Sequence, residues 1–148
     1  LLAESLVLAH EGRAPRVAQD RGAGGIGTGG YAKKLRKEDG VIDWTLDTVS
    51  IWNRLRAVTP WPGAATTHDG RRLAVARAVP WDAMPASTAP GTVLAIGHEG
   101  VRVSCGIGTL RLERVKPEGR SEMSAADWAR GARVAPGVRL GAIKEAVK

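Results

Sequence analysis

The spacing of apolar residues changes at Gly63, and that change limits what the chain can fold into. Upstream the spacing is helical. Val49, Trp52 and Leu55, or Ile51, Leu55 and Val58, form the predicted core-facing stripe. Thr45 is the expected N-cap, Asp47 falls in the first turn, where negative charge is favoured, and Pro60 stops the helix. Downstream the period is two. Residues 64–68 and 71–78 read as strands joined at Asp69-Gly70, a hairpin signal because both positions tolerate positive φ. Residues 92–96, 101–105 and 109–115 predict three more strands, with turns at 97–100 and 106–108 and a longer loop from Pro80 to Pro90. Ser124 is expected to cap a last helix, with Asp127 three residues on, ending near Gly131. Residues 134–140 are expected to return as an edge segment. Five short strands flanked by helices predict a mainly β chain forming a small closed or nearly closed barrel. The five-stranded Greek-key OB-fold is one such barrel, and other small barrels remain open at this point.

The first third reads differently. Residues 1–12 predict a short helix ending at Gly12, resembling the last helix of a larger, truncated domain. Residues 13–37 predict a flexible basic linker, because Pro15 and the glycines at 22, 24, 25, 27, 29 and 30 disfavour regular structure. Residues 38–141 are the expected barrel domain, and 142–148 a frayed tail. Gly22 to Gly27 matches G-x-G-x-x-G, but a basic coil precedes it where a nucleotide site needs a strand, so it reads as linker.

Several function classes are disfavoured. Cys105 is the only cysteine, so an intrachain disulfide and a cysteine-based metal cluster are excluded. His10, His68 and His98 lack metal-ligand spacing. Glu38, Asp39 and Asp43 cluster, yet they occupy turn and helix-start positions that favour acids for structural reasons. No apolar run approaches the roughly 18 residues that span a bilayer. No catalytic residue, cofactor site or metal site is predicted.

The charge points elsewhere. Lysine and arginine number 22 against 15 acids, a net +7, which favours an anionic partner. Lys33, Lys34, Arg36 and Lys37 cluster at the linker's end. Arg54 and Arg56 lie on the second helix, Arg71 and Arg72 at the hairpin, and Arg111, Arg114, Lys116 and Arg120 along the last long strand and beyond it. By strand alternation Arg111 is expected to face opposite to Arg114. Lys33, Lys34, Arg36, Lys37, Arg54, Arg56, Arg114, Lys116 and Arg120 are the candidate contacts to a nucleic-acid phosphate backbone. With no Phe and one Tyr, the five tryptophans must supply most aromatic packing. Trp61, held between Pro60 and Pro62, is expected to plug the junction between helix and barrel.

Three blocks in order, residues 37–44 ending Asp43-Trp44, Pro60-Trp-Pro-Gly63, and residues 116–128 ending Asp127-Trp128, resemble the C-terminal domain of methionyl-tRNA formyltransferases. Residues 31–40 closely match that family's linker end. Pro90-Gly-Thr-Val93, Gly106-x-Gly108 and residues 123–127 favour the tRNA enzyme over sugar and folate formyltransferases. Ile107 departs from a frequent Asp, and Arg120-Ser121 from a common lysine pair. The resemblance implies the OB-like barrel and a cytoplasmic, monomeric protein. It implies initiator tRNA and an upstream catalytic domain as partners. The parent enzyme would use 10-formyltetrahydrofolate, and this chain alone would be inactive. The alternatives are the C-terminal subdomain of a sugar or folate formyltransferase and a free-standing OB-type RNA-binding module.

Overall fold

A computed structural model describes residues 2–13, 34–83 and 87–141. The chain divides into two compact units, residues 1–34 and 35–148. The described part of the first unit is helix α1 (Leu2–His10), which leads to Gly12 at φ 68°. Leu6, Val7 and Leu8 on α1 are exposed. The glycine-rich stretch 22–30, Lys33 and the tail 142–148 lie outside the described residues.

The second unit is mainly β. Its strands are β1 (Ala64–His68), β2 (Arg71–Asp82), β3 (Val93–Gly97), β4 (Gly100–Ser104), β5 (Thr109–Pro117) and β6 (Met123–Ser124). They form one antiparallel sheet in the order β1-β2-β5-β4-β3, with β6 paired to β5. The β1–β2 hairpin turns at Asp69 and Gly70, both at positive φ, as the Asp-Gly pair predicts. Two expectations about the strands need correction. A sixth strand of two residues exists where five strands were expected. And β2 runs on to Asp82, because Val79, Pro80 and Asp82 still pair with β5. Pro80 is accommodated next to a register shift, where the lost N–H matters less.

β1 and β3 are the two ends of the sheet order, and they do not pair with each other. The returning segment approaches both. Gly141 and Thr67 exchange two backbone hydrogen bonds of 3.0 Å. Leu140 N donates to Gly91 O, and Val93 N to Val138 O.

Helix α2 (Thr48–Ala57) starts later than the sequence suggested. Its N-cap is Asp47, whose carboxylate accepts from Ser50 N at 2.9 Å and from Ser50 Oγ at 2.5 Å. Thr45 is not the cap, since its N–H and hydroxyl both donate to Asp43 Oδ1 in the preceding turn. Ile51, Leu55 and Val58 are buried, so the second of the two expected stripes is the core face. Val49 is exposed. Helix α3 (Ala125–Gly131) has Ser124 as its N-cap, accepting from Asp127 N at 3.0 Å, as expected.

Between these helices and the sheet lies the core. Leu73, Val75, Val93, Val101, Val103, Leu110, Leu112 and Val115 come from the strands, and Ala125, Trp128 and Ala129 from α3. Trp44 is 4% exposed and sits where three chain segments meet. Its indole N–H donates to Thr66 Oγ1 at 3.0 Å, and that hydroxyl donates to Gly141 O at 2.6 Å. A Cβ on Gly91 would lie 3.2 Å from the Trp44 ring and 2.6 Å from Leu140 O, so only glycine fits there.

Trp61 does not plug the junction; it is 54% exposed. Val58 already fills the end of α2, and Gly63 N turns back to donate to Val58 O at 2.8 Å. Pro62 packs inward instead, with its ring and Gly63 O against Gly40. That leaves Trp61 at the outside of the turn.

Trp44→Ala should therefore destabilise the domain by about 3–5 kcal/mol, the usual range for a buried large aromatic, whereas Trp61→Ala should cost less than about 1 kcal/mol. Urea melts of the two variants check this. A second expectation concerns acid. The Ser50 hydroxyl and N–H hold the Asp47 carboxyl below the ordinary aspartate value. A depressed folded value means the carboxylate's contribution is complete above the unfolded value of about 3.9 and is lost as pH falls through the folded one. The stability advantage of the parent over Asp47→Asn should thus be constant from about pH 5 to 7 and shrink below about pH 4. Denaturant midpoints across that range would read it.

Candidate nucleic-acid interface

Asp39 organises the first basic group. It belongs to a 3₁₀ turn (Lys37–Gly40) just before Val41, which bridges to Ala65 of β1. Arg36 N donates to the Asp39 carboxylate at 2.7 Å. Arg54 reaches across from α2, donating to Asp39 O at 3.1 Å and approaching its carboxylate at 3.9 Å. The structure thus brings Arg36, Lys37 and Arg54 around one turn. Arg54 is a staple between turn and helix as well as a surface cation. Arg56 lies elsewhere on α2, its guanidinium 4.5 Å from the centre of the Trp52 ring. Lys34 is exposed, and Lys33 lies outside the described residues.

A second group follows β5 and the turn to β6. Arg114 is ion-paired with Glu122, and Lys116, opposite Ala74, is exposed. Arg120 N bonds to Pro117 O, which places Arg120 beside Arg71 and Arg72 at the start of β2. These three arginines line an open cleft of 460 Å³ whose other walls include His68, Glu118 and Trp128. The His68 and Trp128 rings meet edge to face at 5.3 Å. Among the described residues, Lys116, Arg71, Arg72 and Arg120 make no ion pair.

Strand alternation misplaced Arg111 relative to Arg114. Leu112 and Val115 are both fully buried although an odd number of positions separates them. A register shift between Arg77 and Ala78 inserts the extra residue, so neither Arg111 nor Arg114 points into the core. Arg111 instead joins an ion-pair chain on the outer face. Its NH1 lies 2.8 Å from Glu99 and its NH2 2.7 Å from Glu113, which binds Arg77 at 2.8 Å. Trp81, 45% exposed, lies over this group, with the Arg111 and Arg102 guanidinium carbons 5.0 and 5.2 Å from its ring centre. Sequence reasoning missed Trp81 and Arg102 because it took 80–90 as loop; only the cross-strand register brings them together.

Among the described residues no group of three His, Cys, Asp or Glu side chains is placed to hold a metal ion, and no helix is long and apolar enough to cross a membrane. Cys105 is buried, and burial pushes its thiol pKa up. The arrangement offers exposed cations and two exposed tryptophans, Trp61 and Trp81.

Comparison with known proteins places this geometry. The family described as "Formyl transferase, C-terminal domain" matches residues 34–133. The chain is similar to methionyl-tRNA formyltransferases. It is 44% identical over 111 residues to that of Geobacter metallireducens, covering 75% of this chain and 35% of the relative. It is 49% identical to that of Gluconacetobacter diazotrophicus, with 75% and 35% covered. For Thermus thermophilus the figures are 47%, 76% and 36%. The chain thus spans about a third of the length of these curated relatives. Among solved structures, HypX from Aquifex aeolicus in complex with tetrahydrofolic acid superposes with a TM-score of 0.56 at 22% identity, covering 65% of this chain and 17% of HypX. A variant of the same protein gives a TM-score of 0.63 at 18% identity, with 93% and 23% covered. At that identity the likeness is one of fold. The family match covers well over half of the chain, and the chain therefore belongs to the formyl transferase family, of which it carries the C-terminal domain.

Proposed function

We propose that this chain supplies the tRNA-binding C-terminal domain and linker of a cytoplasmic methionyl-tRNA formyltransferase. In that reading a catalytic domain of the same protein moves a formyl group from 10-formyltetrahydrofolate to initiator methionyl-tRNA in translation initiation. The C-terminal domain holds the tRNA. The observation that carries the reading is the family match over residues 34–133 together with relatives that are methionyl-tRNA formyltransferases. The two basic groups support it. One gathers around Asp39 at the end of the linker; the other runs along β5 to the cleft at Arg71, Arg72 and Arg120. Cations without acidic partners are the side chains a phosphate backbone engages most cheaply.

The same reading takes the sheet as an OB-like Greek-key barrel. β1-β2-β5-β4-β3 is the strand order, and the segment ending at Gly141 spans the distance between the two outer strands.

Salt dependence tests the function. Binding of an initiator tRNA transcript should weaken with ionic strength by a log-log slope of about 0.7–0.9 per phosphate contact. Replacing Lys33, Lys34, Arg36 and Lys37 together with glutamine should weaken binding and flatten that slope. A slope that stays the same would remove this segment from the interface. Absence of tRNA binding by the parent chain at low salt would overturn the reading.

A further inference from the structure

Trp81 is a large apolar side chain left 45% exposed on the outer face of the sheet. The strands fix what surrounds it. Arg102 on β4 and Arg111 on β5 are direct register partners, and both guanidinium groups come within about 5 Å of the indole centre. Arg111 is held from two sides by Glu99 and Glu113, so it is a fixed support. Arg102 makes no ion pair among the described residues. The face carries Arg77, Arg102 and Arg111 against Glu99 and Glu113, an excess of one positive charge.

An indole with open surface beside a guanidinium that holds no carboxylate matches the two halves of a nucleotide. The base stacks on the ring, and the phosphate pairs with the cation. Paired RNA keeps its base faces inside the helical stack, so only an unpaired nucleotide offers a free face. The ion-pair chain beneath the ring supplies rigidity, because Arg111 cannot move without breaking contacts to two carboxylates.

We propose that Trp81 and Arg102 form a stacking subsite for one unpaired nucleotide of the bound RNA. This rests on the reading that the domain binds tRNA, and it adds a contact distinct from the two basic groups.

The test compares Trp81→Leu, which keeps an apolar cover but removes the ring, with Trp81→Phe, which keeps a ring. The probes are a 12-nucleotide oligouridine, a 12-base-pair RNA duplex and an initiator tRNA transcript, all at one salt concentration. Trp81→Leu should bind the oligouridine about fivefold or more weakly, Trp81→Phe should retain most of the affinity, and duplex binding should not change. The parent's tryptophan fluorescence should be quenched on titration with oligouridine, and Trp81→Phe should lose that quenching; this readout holds even if Trp81→Leu folds poorly. Equal oligouridine affinity in Trp81→Leu and parent, or an equal loss on the duplex, would overturn the subsite. A parent that binds oligouridine but not tRNA would overturn the tRNA reading and leave the subsite standing. A parent that binds none of the probes would overturn both.

Discussion

The domain depends on one short relay. Trp44 donates to the Thr66 hydroxyl, and that hydroxyl donates to the carbonyl of Gly141. Both polar groups are buried, so each must find a partner or carry the desolvation cost of lacking one. The geometry that satisfies both pins Trp44, in the segment leading to α2, strand β1 and the C-terminal segment to a common point. The end strands of the sheet do not pair with each other. The segment pinned by Thr66 reaches both, bonding to Thr67 on one side and to Gly91 and Val93 on the other. Gly91 packs directly on the Trp44 ring, so the same indole sets how near that segment approaches. The hydrophobic term of the tryptophan and the polar relay at its edge therefore act on the same three segments.

A second constraint decides which charges reach the surface. β2 and β5 share an irregularity at one level. Val75 and Ala78 both face inward, as do Val115 and Leu112, although alternation would put the members of each pair on opposite faces. Each strand accommodates an extra residue there. The consequence is electrostatic as much as steric. Arg77, Glu113 and Arg114 are all kept out of the core, and Glu113 can bridge Arg77 and Arg111. Without the shift, an arginine of β5 would be aimed at Leu112's neighbours with no acid to meet it, a far costlier placement than any surface pair recovers.

Much of this was legible in the sequence where a local rule governs. Asp69-Gly70 specified its hairpin because the turn demands positive φ at both positions. Ser124 specified the start of α3 because an N–H three residues on needs an acceptor. The stripe of Ile51, Leu55 and Val58 was one of two that the spacing allowed, and burial against β2 selected it. Local rules failed where competing partners lay nearby. Thr45 and Asp47 are both good caps, but Asp43 engages Thr45 first. Trp61 looked buried from its flanking prolines, yet Val58 and Pro62 already occupy the space. The pairing of Trp81 with Arg102 and Arg111 depends on register across three strands, which no window of sequence displays.

The basic surface sorts by commitment rather than by count. Arg114, Arg77 and Arg111 hold carboxylates, and Arg54 holds a turn. A pair as exposed as that of Arg114 with Glu122 contributes about 0–1 kcal/mol, so its main effect is to fix direction. Lys34, Lys37, Lys116, Arg71, Arg72 and Arg120 have no such partner among the described residues. A phosphate approaching a committed arginine must displace or share with its acid, while an uncommitted one loses only counterions and water. The committed set therefore gives the surface its shape, and the uncommitted set gives it reach, over a screening length of about 10 Å at 0.1 M salt.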